Sequence, residues 1–183
     1  MKVNEIIISE AVETWFHGSD SAIEAFEFVS KVDAINEEGP GIYLTSSMDD
    51  ARKYGRYVHT VEAKIIKSRM MPDRKAFKPE FIRSLISKAP DLDDALTNWD
   101  EDPVTALRKA VNSIMDRHGP NEYREAMESI YSDFYHGHER KWLTRMSGAG
   151  IGWDGFIVNK SPNLRHFICF NPSILKVFSR GNA

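Results

Sequence analysis

Apolar positions along the chain follow two different periods, and the change of period divides it in three. From the start to about residue 65 the apolar residues come in short bursts of strand character. Val3 to Ser9, with Ile6, Ile7 and Ile8, reads as a short strand or the start of a helix. Glu13-Thr14-Trp15-Phe16-His17 reads as a strand that ends at Gly18-Ser19. A short helix is expected over Ser21 to Ala25, then loop from 26 to 40, closing with Gly39-Pro40-Gly41. Ile42-Tyr43-Leu44 is a very short apolar strand. Ser47-Met48-Asp49-Asp50 approaches a capping box and starts a helix that Gly55 stops near Lys53 or Tyr54. Tyr57 to Ile65 alternates with period two, the signature of a half-buried strand.

The middle third switches to helical spacing. Phe81, Ile82, Leu85 and Ile86 form one apolar stripe. Leu107, Ala110, Val111 and Ile114 form a second, and Tyr123, Met127, Ile130, Tyr131 and Phe134 a third. Pro79, Pro90, Pro103 and Pro120 stand near the helix starts or in the linkers between them. Four helices are expected here, the last near Glu139 to Arg145. The final third returns to strands at Gly155 to Val158, Arg165 to Phe170 and Leu175 to Phe178. Strands at both ends with helices between predict an α+β fold, its sheet assembled from distant segments.

Composition narrows the class without naming it. The 183 residues are 42% hydrophobic and 28% charged, ordinary for a globular protein and enough for one domain with an elaborating insertion. A net charge of −3 speaks against bulk electrostatic binding of nucleic acid, though not against a local basic groove. One cysteine, Cys169, cannot form an internal disulfide. No apolar run has membrane-spanning length, and the alternating N-terminus with Glu5 and Glu10 lacks a signal-peptide pattern. A cytoplasmic protein with no membrane partner is the expectation.

Three blocks concentrate the chemistry: Trp15-Phe16-His17-Gly18-Ser19; Gly41-Ile42-Tyr43-Leu44-Thr45-Ser46-Ser47 with Ala51-Arg52-Lys53-Tyr54; and Arg165-His166-Phe167-Ile168-Cys169-Phe170-Asn171-Pro172. A strand ending in His-Gly sets an imidazole beside a bare backbone, which suits close approach to a ligand. Alone, a histidine at a strand end is more often a polar surface or core residue. Tyr43 and Tyr54 are eleven positions apart across a strand-turn-helix, a spacing that can bring two rings to face each other. The bland alternative is a pair of half-buried tyrosines in a βα unit.

In that order the blocks resemble the ADP-ribosyltransferase family, most closely its diphtheria-toxin and poly-ADP-ribose polymerase branch. The likeness extends to small phage and polyvalent-protein members whose late strand precedes Asn-Pro or Asp-Pro, which leans towards a phage effector. It covers the first and last thirds; the middle is read from pattern alone. The resemblance implies a single domain over 1–183 with a split, strongly curved sheet and a helical insertion at about 70–148. It implies NAD, used as substrate. Tyr43 and Tyr54 would clamp the nicotinamide, and Gly18 would read its amide. His17 would hold the adenosine ribose, with Ser19 beside it.

The third block departs from the family. Many members carry a glutamate near the start of this strand, where it holds a nicotinamide-ribose hydroxyl and steadies the positive charge growing on the sugar. Aligning Phe170-Asn171-Pro172 with the common Phe-Asp-Pro ending puts His166 at that place. His166, Ile168 and Phe170 share one strand face. A neutral imidazole can accept a ribose hydroxyl; a protonated one would oppose a cationic transition state.

His166, Tyr43 and His17 are thus the candidate catalytic residues. His17, Gly18, Ser19, Tyr43 and Tyr54 are the candidate cofactor-binding residues. The activity implied is mono-ADP-ribosyl transfer from NAD to a macromolecule, a protein more than a nucleic acid. A degenerate binder of NAD or ADP-ribose, and an NAD glycohydrolase, stay open. Asp154 reads as a turn residue and a fallback acid, while Cys169 alternates onto the face opposite His166 as a packed thiol. Arg52, Lys53 and Arg56 read either as neighbours of the pyrophosphate or as a charged helix face. His136-Gly137-His138-Glu139 reads as a solvated loop, and no metal is called for.

Overall fold

A computed structural model describes residues 10–27, 40–90, 92–97, 102–148 and 151–182. The expectations for Val3 to Ser9 and for most of the loop at 26–40 lie outside the described residues. Among the described residues six strands form one antiparallel sheet: β1 (Glu10–Ser19), β2 (Ile42–Thr45), β3 (Tyr57–Ile66), β4 (Gly155–Ser161), β5 (Leu164–Cys169) and β6 (Leu175–Asn182). Their order is β4-β5-β2-β1-β3-β6. The fold is α+β, and the period-two segments at the two ends of the sequence meet in this sheet.

Six α-helical segments accompany it among the described residues: α1 (Met48–Ala51), α2 (Pro79–Ile86), α3 (Leu92–Leu96), α4 (Pro103–His118), α5 (Tyr123–Phe134) and α6 (Glu139–Ser147). Contacts divide the chain into two compact units, one of residues 1–29, 41–71 and 145–183, the other of 30–40 and 72–144. The first holds the whole sheet and α1.

One face of the sheet is apolar by alternation. Trp15, Leu44, Val61, Ala63, Ile65, Phe167 and Cys169 make its buried cluster. The Trp15 and Phe167 rings sit 5.6 Å apart at 52°, a tilted aromatic pair. Arg165 lays its guanidinium over Trp15 at 4.9 Å from the ring centroid and pairs with Glu13 at 3.0 Å. Cys169 is the expected packed thiol: it is fully buried, and burial pushes its pKa up to about 12.

The helical unit follows the stripes read from the sequence. Ile82, Leu85 and Ile86 are buried on α2, and Ala106, Ala110, Val111 and Ile114 on α4. Tyr135 donates its hydroxyl to the Leu85 carbonyl at 2.8 Å. The helix at Leu92–Leu96 is one more than the four expected between 78 and 148. Five residues are too few to display a 3.6-residue period.

The helix expected at Ser21 to Ala25 does not form; that stretch is irregular. The Ser21 carbonyl is taken by the Ser19 hydroxyl and by Nε2 of His59 instead of a later amide. A serine side chain competing for local backbone groups works against the first helical turn. Asp154, read as a turn residue, is fully buried. It pairs with Arg69 at 2.8 Å and accepts from Asn171 Nδ2 at 2.7 Å, while its carbonyl receives the Phe170 amide.

Candidate functional site

The site is set by where two neighbouring strands stop pairing. β1 pairs with β3 over ten positions, from Glu10↔Ile66 to Ser19↔Tyr57. It pairs with β2 at one position alone, Phe16↔Thr45. β2 instead runs along β5, from Ile42↔Cys169 to Thr45↔His166. Beyond Phe16 the strands part, leaving His17, Gly18 and Ser19 on one bank and Ile42, Tyr43 and Leu44 on the other.

The His17 imidazole bridges this gap. Its Nδ1 lies 2.7 Å from the Tyr43 carbonyl oxygen, which can only accept, so Nδ1 carries the proton and donates. The side chain thus satisfies a carbonyl that the missing ladder would have used. Phe26 packs its edge on the ring at 5.1 Å, and the His59 ring lies 6.2 Å away. Burial pushes the His17 pKa below 6.5; the Tyr43 carbonyl opposes this, and His59 adds to the lowering. A neutral ring with Nδ1 protonated presents Nε2 as an acceptor. That nitrogen has no hydrogen-bond partner among the described residues.

Gly18 answers to a close approach. A Cβ there would stand 1.9 Å from the Ala51 carbonyl oxygen and 3.0 Å from Cβ of Tyr54. α1 and its succeeding 3-10 turn, Arg52–Tyr54, therefore press directly on this backbone. The same segment is held at its far end, where a Cβ on Gly55 would fall 2.1 Å from the Ser19 carbonyl carbon. Tyr54 is thereby fixed beside Gly18, yet 57% exposed. Tyr43, part-buried, stands across the gap from Gly18 by continuation of the register. An open groove of about 610 Å³ borders Tyr54, lined by Asp20, Arg52, Lys53, Gly55 and Arg56.

Alternation distributes the candidates over both faces. Tyr43, Thr45 and His166 share the face on which Phe16 and Gly18 lie. His17 and Ser19 belong to the opposite face, the side of Trp15. Ser19 is occupied locally, its hydroxyl 3.0 Å from Nε2 of His59.

His166 is not alone in its place. Its Nε2 lies 2.9 Å from Oδ2 of Asp50, with the two side chains 13% and 7% exposed. Lys53 Nζ holds the other carboxylate oxygen at 2.8 Å and is itself 68% exposed. Burial pushes the Asp50 carboxyl up, but hydrogen bonds from Lys53, His166 and Thr45 outweigh it and keep the pKa below the ordinary 3.8. In the sequence pattern Asp50 is the fourth residue of a near capping box. Half of that holds, since the Asp50 amide donates to Ser47 Oγ at 3.2 Å. The return bond is absent from the box: the Ser47 amide donates to Thr45 Oγ1, and the Asp50 carboxylate turns to β5. The available signal was the spacing of Asp50 and Lys53, three apart across the end of α1 and the 3-10 turn that follows it.

The remaining candidates stand apart from this constellation. Asp154 Oδ1 is held by both Arg69 and Asn171, while its buried Oδ2 has no hydrogen-bond partner among the described residues. Glu139 accepts from the Tyr131 hydroxyl and the Gly137 amide at 3.0 Å each, and no cluster of three metal-ligating side chains occurs among the described residues. No described helix is long and apolar enough to cross a membrane. Comparison with known proteins returned no matching family model, no matching curated protein and no matching solved structure.

Proposed function

We propose that this protein binds NAD across the gap between β1 and β2, cleaves its nicotinamide–ribose bond and transfers one ADP-ribosyl unit to a macromolecular acceptor. The reading extends the ADP-ribosyltransferase resemblance to a split-sheet fold of that kind. The single observation that carries it is the bridge from His17 Nδ1 to the Tyr43 carbonyl at the point where the strands part. That contact ties the first block of the motif to the second, and leaves Nε2 as an acceptor suited to a ribose hydroxyl. Tyr54 has its Cβ against the Gly18 backbone and Tyr43 lies across the gap by register, and in this reading their rings take the flat, electron-poor nicotinamide between them.

The chemistry required is modest. The C1′–nitrogen bond breaks with its electron pair leaving on nicotinamide, which becomes neutral. The acceptor's nucleophile bonds to C1′ and gives up a proton. Rigid placement of the two halves of the substrate supplies much of the rate. A protein acceptor fits the net charge of −3 better than a nucleic acid does.

A second reading has its own observation. β5 carries His166 where the family's glutamate would stand, which favours a member that binds NAD or ADP-ribose without turnover. Incubation of labelled NAD with the protein and cell lysate distinguishes the readings. Nicotinamide release with label transfer supports the transferase, release alone a glycohydrolase, and binding without release the degenerate binder. Tyr43→Ala should weaken NAD binding roughly 2- to 10-fold, the worth of one lost aromatic stack. Unchanged affinity in calorimetry would remove the slot from the proposal.

A further inference from the structure

We propose that Asp50 is a positioning residue of this site, orienting His166 and restoring to the Tyr43 face the negative charge that β5 itself lacks. The inference rests on the NAD-cleaving reading above and deepens it. A carboxylate is an acceptor only, so the 2.9 Å contact requires a proton on His166 Nε2. That fixes one of two neutral tautomers and holds the ring on the face it shares with Thr45 and Tyr43.

Charge is the second contribution. Asp50 stays ionised because Lys53, His166 and Thr45 all hydrogen-bond its carboxylate. Lys53 is mostly exposed, so water screens its positive charge more than the carboxylate's negative one. α1 thus brings a carboxylate to His166 from a segment distant in sequence.

The test compares wild type with Asp50→Asn for NAD affinity, the rate of nicotinamide release, and the ¹⁵N shifts of His166. In the wild type Nε2 should be protonated; a ring protonated on Nδ1 alone would overturn the proposal without any variant. Asp50→Asn keeps the shape but can donate its amide to Nε2, which reverses the tautomer. It should lower kcat for nicotinamide release by on the order of 100-fold, with NAD affinity within about threefold. Undiminished release by a folded Asp50→Asn protein sinks the role of Asp50 and leaves the NAD reading standing. A wild type that releases no nicotinamide sinks that reading, and this inference with it. Should Asp50→Asn not fold, the same comparison is made with Asp50→Glu, which keeps the charge and displaces it. Partial release with the Nε2–H tautomer retained supports the proposal, and release equal to wild type with that tautomer lost overturns it.

Discussion

Single residues here are constrained by what lies within a few ångströms, and Gly18 is the sharpest case. The sequence suggests a glycine kept bare for a ligand. The structure adds a nearer reason, since the Ala51 carbonyl oxygen would sit 1.9 Å from any Cβ. Both of the closest atoms are main-chain, so neither can rotate away. Gly18→Ala should destabilise the protein by about 1–3 kcal/mol, the usual cost of overpacking, and a shift in urea midpoint would register it. An alanine variant of wild-type stability would mean that α1 does not press on β1 as described. His17 and His166 show the same dependence on neighbours. Each ring has its tautomer set by a partner remote in sequence, the Tyr43 carbonyl 26 positions on and Asp50 116 positions back.

At the scale of elements, α1 matters far beyond its four residues. It has one side-chain cap, from Ser47, and it carries Asp50 to His166 while Ala51 meets Gly18. So short a helix has little stability of its own. Its geometry comes from this cap and from packing on the sheet. Ser47→Ala should cost about 1 kcal/mol of stability, within the range for a lost N-cap. If α1 positions the site, NAD turnover should fall further than global stability does; calorimetry alongside the nicotinamide-release assay separates the two. The failed helix at Ser21 to Ala25 and the extra one at Leu92–Leu96 teach a related lesson. Below about two turns, local hydrogen-bond competition and packing override periodicity.

For the molecule as a whole, the ionisable groups point to a definite pH dependence of stability. His17 has its pKa lowered by burial, so the unfolded chain binds its proton more readily than the folded one. Stability is therefore full above about pH 6.5 and declines as pH falls through the ordinary histidine range towards the lowered value. His118 shifts the same way, through burial and the neighbouring Arg117. Asp50 has its pKa held below 3.8, so its contribution is present above that value and is lost as pH falls through the folded pKa. Chemical denaturation from pH 8 to pH 4 should show a falling free energy of unfolding, with its first decline in the histidine range. His17→Gln should flatten that first decline, and an unaltered profile would reassign it.

The sequence by itself determined the α+β class, the six strands of the sheet to within about four residues at their ends, the helical middle and the burial of Cys169. These follow from period, caps and breakers, which act over a handful of neighbours. It also supplied His17, Gly18, Tyr43 and Tyr54 as residues worth inspecting. Only the tertiary structure decided that β1 and β2 part after one paired position, that His17 spans the opening, and that His166 shares its place with Asp50. Those outcomes depend on strand register and on groups brought together from segments 26 and 116 residues apart. Local pattern carries no information about which distant partner will fill a hydrogen bond, because that choice is made by the packing of the whole sheet.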